Sequence, residues 1–187
     1  MPDTDRMMED RRARFEALVG EVSDPVQRYL LRRARPDVAD DVLGDVLLVL
    51  WRRLDDVPVD DPIPWSIGTA RRALANRRRS DRRKLALVDR IRAIDPPTVA
   101  ADPSASGDHP ELVAALAGLP ETDREVLVLW AWEGFEPREL ATVLGISDNA
   151  AANRLSRARR RLATALGRQE SLPAGQDGYM DAEEDRI

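Results

Sequence analysis

The chain has 187 residues, with 34 acidic and 29 basic side chains, no cysteine and one histidine. The absence of cysteine excludes a disulfide framework, thiol catalysis and cysteine-ligated zinc, and one histidine excludes a His-rich metal site. Hydrophobic residues make up 43% of the sequence, too many for a wholly disordered protein. No stretch has the apolar length of a signal peptide or a membrane span, so we expect a soluble, cytoplasmic protein.

The charges are clustered along the chain. Residues 36–61 carry eight aspartates and two arginines, whereas residues 71–92 carry nine arginines and one lysine against two aspartates. Residues 154–168 add six arginines and no acid. Two basic blocks in an acidic chain are typical of nucleic-acid contact. A solvated helix face is the alternative for either block taken alone.

Two short helices are predicted at the start of the chain. Apolar spacing indicates a helix over Asp5–Val19 that ends at Gly20. Asp24 and Pro25 are residue types preferred at the N-cap and the first helical position, so we expect a second helix to begin there.

Pro36 introduces a longer helix over Asp37–Leu54 that is apolar on most of its circumference. A helix of this kind is buried on two or three sides. A narrow exposed stripe remains, formed by Asp41, Asp45, Leu48 and Arg52.

The ten residues 55–64 contain three prolines and predict a stiff, non-helical loop. A long basic helix then runs from Trp65 to about Ile94. An aromatic residue beside arginines could bind single-stranded DNA by stacking and phosphate contact, although Trp65 taken alone is better explained as a core residue. The candidate DNA-binding residues here are Trp65, Arg71, Arg72, Asn76, Arg77 and Arg78.

Residues 95–109 have the composition of a flexible linker, rich in Pro, Ala, Ser, Asp and Gly. They divide the chain into a first domain, residues 1–94, and a second, residues 110–168. We expect these domains to fold separately and to change their relative placement. Residues 169–187 are acidic and aperiodic, which predicts a disordered tail. This tail either covers the basic blocks transiently or only aids solubility.

The second domain ends in a predicted helix-turn-helix. Pro137 has the residue type of a first helical position, Gly145 ends that helix, and Ser147 caps the next. In this motif the second helix enters the major groove, where Asn pairs with adenine and Arg with guanine. An ordinary helical hairpin is the alternative, but an arginine-rich extension without acids favours DNA binding. The candidate residues are Arg138, Asn149, Asn153, Arg154, Ser156, Arg157 and Arg160.

Four segments together resemble one protein family. Residues 41–51 read DVLGDVLLVLW, residues 65–72 read WSIGTARR before the run RRRSDRRK, residues 119–130 read LPETDREVLVLW, and residues 139–162 read ELATVLGISDNAAANRLSRARRRL. In this order they resemble the extracytoplasmic-function (ECF) sigma factors of bacterial RNA polymerase, over about residues 11–167. The motifs of the second domain are the more specific.

The resemblance implies an all-α fold of two small helical domains and a non-enzymatic role in transcription initiation. It implies that residues 1–94 bind core polymerase and the −10 promoter element, and that residues 110–168 bind the −35 element. Asp41, Asp45, Leu48 and Arg52 would contact the polymerase clamp, and the second domain the flap. Loop 55–64 would hold a flipped base. An anti-sigma factor is a possible partner.

Some residues depart from the family pattern. Gly44 replaces a usual Gln, Arg72 replaces an Asn, and residues 150–152 are three alanines where larger residues are usual. The promoter sequence therefore does not follow from the resemblance. Two other classes stay open at this stage: a helix-turn-helix regulator that does not bind polymerase, and a helical adaptor whose basic blocks bind acidic protein. No catalytic residue, metal site or cofactor is predicted.

Overall fold

The computed structural model describes residues 2–91 and 109–167, with side chains at 5–83 and 109–167. All regular structure in these ranges is helical, which confirms the predicted all-α fold. The α-helices are α1 (Pro2–Leu31), α2 (Pro36–Arg52), α3 (Pro62–Ile91), α4 (Pro110–Ala117), α5 (Glu121–Glu133), α6 (Pro137–Leu144) and α7 (Asp148–Ala165), and a 3-10 turn spans Leu54–Asp56. We refer to α1–α3 as the first part and to α4–α7 as the second. Most of the predicted linker, the tail and the domain boundaries lie outside the described residues.

The first part is a three-helix assembly around an apolar core. Its central element is α2, whose buried residues recur every three or four positions, as amphipathic packing requires. They are Ala39, Val42, Val46 and Leu50. The facing residues are Val22, Val26, Tyr29 and Leu30 of α1 and Ile67, Ala70 and Leu74 of α3. This packing orients the opposite face of α2 toward solvent.

The prediction of two short helices before Pro36 was wrong, because α1 is continuous from Pro2 to Leu31 and contains Pro25. An interior proline costs about 3 kcal/mol and an interior glycine, here Gly20, about 1 kcal/mol. Burial of one Val or Leu side chain contributes about 1.5–3 kcal/mol. Val22 and Val26 on either side of Pro25 are completely buried, so tertiary packing outweighs the local signals.

The proline-rich loop is shorter than predicted. Asp55 and Asp56 belong to the 3-10 turn, and α3 begins at Pro62, so the non-helical segment is residues 57–61. Pro62 and Pro64 lie in the first turn of α3, where backbone N–H groups have no intrahelical acceptor and proline therefore removes no hydrogen bond. The 3-10 turn before the loop is held to α1 because Arg11 and Arg14 donate to Asp55 at 2.9 and 3.1 Å. These hydrogen bonds lower the pKa of the Asp55 carboxyl.

The helix-turn-helix of the second part is confirmed at its predicted residues. Gly145 ends α6 with φ of 68°, a left-handed conformation that glycine adopts without strain. The Ser147 side chain then accepts a hydrogen bond from the backbone N–H of Ala150, which caps α7. Three residues hold α7 on the other helices through its buried face: Ala151, Leu155 and Ala158.

The two parts pack against each other through α3 and α6. At the crossing, a Cβ added to Gly68 would lie 3.0 Å from the carbonyl oxygen of Val143 and 3.2 Å from its Cα. Such distances are shorter than normal contacts with backbone atoms that cannot rotate away. Glycine at position 68 therefore permits the close approach of the two helices, and the buried apolar residues of both parts form one continuous cluster.

Candidate nucleic-acid and polymerase interface

The second helix of the helix-turn-helix presents one uninterrupted polar stripe to solvent. Five of the predicted residues lie on it, all exposed: Asn149, Asn153, Ser156, Arg157 and Arg160. Their spacing of four, three, one and three residues places them on one face of a helix. The Asn153 amide donates to the Asn149 side chain at 3.1 Å, which orients both amides. The stripe has the donors and acceptors needed to contact base edges.

The remaining predicted residues of the second part lie elsewhere. Arg154 is only partly exposed and lies off the stripe. Arg138, in the first turn of α6, forms an ion pair with Asp61 of the first part at 3.1 Å. The structure does not place either residue with the stripe.

Two arginines of α7 hold the second part together. The Arg161 guanidinium donates to Asp123, a carboxylate that is 8% exposed in the first turn of α5. Arg159 lies over the ring of Trp130, 5.0 Å from its centroid. The basic block at 154–168 is therefore divided between a solvent-facing set and a structural set, a division that net charge could not reveal.

On α3, three predicted DNA-binding residues are exposed: Arg72, Asn76 and Arg78. Partial burial lowers the pKa of Arg72, and repulsion from Arg53 and Arg71 adds to the effect. Trp65, at the start of the helix, is half-buried and packs on the core, with the Arg53 guanidinium 5.3 Å from its ring centroid. Trp65 therefore packs on the core, and its stacking on single-stranded DNA stays a prediction.

Two other predicted residues of α3 are already engaged. Arg71 makes a bidentate contact with Glu125 of α5, at 2.5 and 2.9 Å, and this hydrogen bonding raises the pKa of Arg71. Arg77 contacts Asp41 of α2 at 3.3 Å and Asp81 at 3.4 Å. In this arrangement Arg71 is therefore held by the second part, and Arg77 is held within the first.

The predicted polymerase-binding residues are all exposed on one side of α2: Asp41, Asp45, Leu48 and Arg52. Leu48 stands out because its side chain is 54% exposed although leucine is usually buried. An isolated exposed leucine within a charged stripe can supply an apolar anchor for a partner surface.

No pattern in the sequence indicates the ionic contact between the turn after α1 and the end of α5. Glu133, at the end of α5, is 7% exposed and accepts hydrogen bonds from Arg32 and from Arg33, the latter at 3.3 Å. Arg33 also lies over the Tyr29 ring, 3.8 Å from its centroid. Together with Arg71–Glu125 and Arg138–Asp61, this contact joins the two parts at three places.

Within residues 2–91 and 109–167, no group of His, Cys, Asp or Glu side chains could hold a metal ion. None of the helices in those ranges is both long enough and apolar enough to cross a membrane. His109 is exposed and lies 3.4 Å from Glu111.

The fold and its surfaces define a two-part helical DNA-binding protein with a helix-turn-helix in its second part. Comparison with known proteins is more specific. The family model described as Sigma-70, region 4 matches residues 109–162. The RNA polymerase sigma factor CarQ of Myxococcus xanthus is 32% identical over 158 residues, which cover 83% of this chain and 91% of CarQ. The chain therefore belongs to the ECF-type RNA polymerase sigma factors, which direct transcription initiation and are not enzymes.

Further relatives agree with this assignment. The probable RNA polymerase sigma factor RfaY of Xanthomonas campestris is 33% identical over 135 residues, which cover 66% of this chain but only 33% of RfaY. Among solved structures, the sigma factor RpoE in complex with the anti-sigma factor NepR from Bartonella quintana has a TM-score of 0.54 at 22% identity, covering 88% of this chain and 99% of that one. CnrH, solved with the cytosolic domain of CnrY, has a TM-score of 0.51 at 27% identity, covering 82% and 87%. The similarity to RpoE concerns the fold alone.

Proposed function

We propose that this sigma factor reads duplex DNA of the −35 promoter element with α7 and the −10 element with α3 and loop 57–61. The observation that carries the proposal is the exposed stripe on α7. Its five residues have no buried contact to maintain, and Asn153 and Arg157 lie one turn apart with side chains suited to adenine and guanine.

The −10 side is supported by a different kind of surface. Arg72, Asn76 and Arg78 are exposed along α3, and Trp65 lies in the first turn of the same helix. Arginines contact phosphates, and the ring of a partly exposed aromatic side chain can stack on an unpaired base. Such a surface suits DNA strands that have been separated.

We assign the exposed stripe of α2 to the clamp of core polymerase. Leu48 would supply the apolar anchor, while Asp41 and Asp45 would pair with basic residues of the partner. Arg77 already neutralises part of the charge of Asp41. The second part is assigned to the flap. CnrH, at 27% identity, was solved with the cytosolic domain of CnrY, which supports the proposal that an anti-sigma factor binds this chain.

One of the predicted −10 residues is engaged by the second part. Arg71 donates from Nε and Nη2 to both oxygens of Glu125, so its full release to DNA would need the two parts to separate or rotate. The α7 stripe needs no such change because it is already exposed. The protein can therefore contact the −35 element before Arg71 is released.

Run-off transcription with purified core polymerase on genomic promoter fragments tests the proposal. A sigma factor gives discrete start sites that disappear when it is omitted. The variant Leu48→Asp should abolish these transcripts while retaining binding to duplex −35 DNA. The variant Arg157→Ala should weaken that DNA binding without affecting association with core polymerase. Inactivity of core enzyme at every promoter, combined with sequence-specific DNA binding by the chain, would contradict the proposal.

A further inference from the structure

A basic cleft lies between the two parts of the protein. It has a volume of about 840 Å³ and is bordered by α3 on one side and by the start of α5 on the other. Its charged lining consists of Arg33, Arg71, Arg72, Arg78, Arg79, Arg124, Glu121 and Glu125. We call this site the arginine cleft. Six arginines against two glutamates make it strongly positive.

The positive charge of the cleft is mostly unneutralised. Glu125 is taken by Arg71. Arg78 donates to the carbonyl oxygen of Arg33 and Arg79 to the side chain of Asn76, which are uncharged acceptors. Four arginines of the cleft form no ion pair in the part of the chain that the structure describes: Arg72, Arg78, Arg79 and Arg124.

The unpaired charge of these four arginines indicates an anionic occupant, and a carboxylate is the strongest acceptor for a guanidinium group.

The acidic segment after Gly167 is long enough to reach the cleft. Arg161 of α7 contacts Asp123 in the first turn of α5, and Glu121 and Thr122, next to Asp123, line the cleft. A fully extended chain of the length of residues 168–187 spans at most about 70 Å. That segment contains Glu170, Asp177, Asp181, Glu183, Glu184 and Asp185 against Arg168 and Arg186.

We propose that the acidic segment 168–187 of this chain binds in the arginine cleft and competes there with promoter DNA. The competition follows because Arg71, Arg72, Asn76 and Arg78 line the cleft and are also the proposed −10 contacts. That consequence rests on the proposed function, whereas binding of the segment to the cleft does not. The segment would stabilise the packed arrangement of the two parts, since its binding site includes residues of both.

The binding step can be tested in the full chain without DNA or polymerase. The chain has no cysteine, so Tyr179→Cys introduces a single site for a nitroxide label whose effect on every backbone amide is read by NMR. At low salt we expect signal loss at residues 121–125 and 72–79, but not at residues 9–16 of α1. The loss should disappear in the labelled triple variant Glu183→Gln, Glu184→Gln, Asp185→Asn.

A matched control separates this contact from a general charge effect. Asp5→Asn, Glu9→Gln and Asp10→Asn remove the same number of charges from exposed positions of α1 and should leave the signal loss intact. Arg124→Ala should reduce the loss, and Arg12→Ala, an exposed arginine outside the cleft, should not. Equal signal loss with and without the tail charges would overturn the proposal. The proposal would also be overturned if added inorganic phosphate shifted the NMR signals of these amides while the label affected none of them.

The competition is measured by binding of a single-stranded −10 oligonucleotide. A covalently linked segment acts at an effective concentration on the order of millimolar, so we expect the tail variant to bind about tenfold more tightly than wild type at low salt. The α1 control should bind like wild type. Unchanged affinity despite a demonstrated contact with the cleft would refute the competition. Run-off transcription tests the proposed function independently, because the segment can bind in the cleft whether or not the chain activates polymerase.

Discussion

The contact at Gly68 can be used to test how the two parts of the protein are held together. In Gly68→Ala the new methyl group would lie 3.0 Å from the Val143 carbonyl oxygen and 3.2 Å from its Cα. Neither atom belongs to a side chain, so α3 and α6 must move apart. We expect the substitution to disfavour the packed arrangement.

The magnitude follows from the chemistry of overpacking. An extra methyl group in a close contact costs about 1–3 kcal/mol, which corresponds to about a 5- to 150-fold shift of the equilibrium toward separated parts. Within α3 itself the same substitution is stabilising, because alanine favours a helix by about 1 kcal/mol over glycine. The variant should therefore loosen the contact between the parts while stabilising the first part itself.

Double electron–electron resonance between nitroxide labels attached at Glu9→Cys and Ala165→Cys can detect this change, since the chain has no other cysteine. Gly20→Ala is the matched control, because a Cβ at position 20 meets no atom within 4 Å. We expect a broader and longer distance distribution for Gly68→Ala and no change for Gly20→Ala. Identical distributions in the two variants would falsify the assignment of Gly68 as the residue that permits the packed arrangement.

Four further predictions concern individual residues. Asn153→Ala or Arg157→Ala should each cost about 1–3 kcal/mol on the preferred upstream element and far less on unrelated DNA, as measured by titration of matched duplexes. Arg82→Ala should weaken binding to all sequences alike and lower the salt slope by about one unit, because it is expected to contact phosphate; loss on a single sequence would contradict this. Asn76→Ala should impair open-complex formation on duplex promoters but much less on templates already melted at the −10 element, and equal losses on both would leave it as an ordinary surface contact. The pKa of Asp55 is lowered by Arg11 and Arg14, so its stabilising effect should be complete above the ordinary carboxyl pKa of about 4 and be lost as the pH falls through the lowered value. The free energy of unfolding, measured in urea, should therefore be higher for wild type than for Asp55→Asn at neutral pH. A difference that persists in acid would refute the assignment.

The sequence predicted best those elements whose ends are set by local chemistry. Pro137, Gly145 and Ser147 each act within one turn of the backbone, and α6 and α7 begin and end where these residues indicate. The polar stripe of α2 was predictable for the same reason, since helical periodicity alone separates Asp41, Asp45 and Leu48 from the buried side.

Contacts between distant segments could not be predicted in this way. Gly20 and Pro25 were interpreted as a helix end and a helix start, but burial of the surrounding valines keeps α1 continuous. Likewise, nothing near Glu133 in the sequence indicates that it meets Arg32 and Arg33, about one hundred residues earlier. The assignment of Arg71 to DNA stays a prediction, and its partner Glu125 was found only from the packing of the two parts.

The separation of structural and solvent-facing residues on α7 affects how the sequence of such a protein can change in evolution. Ala151, Leu155 and Ala158 face the core, and Arg161 is tied to Asp123, so substitutions there threaten the fold. The five residues of the exposed stripe do not pack in the core. Mutations in the stripe can therefore accumulate at little cost in stability. Under the proposed role of the stripe in reading promoter DNA, the set of genes that this factor controls can diverge while its architecture is inherited unchanged.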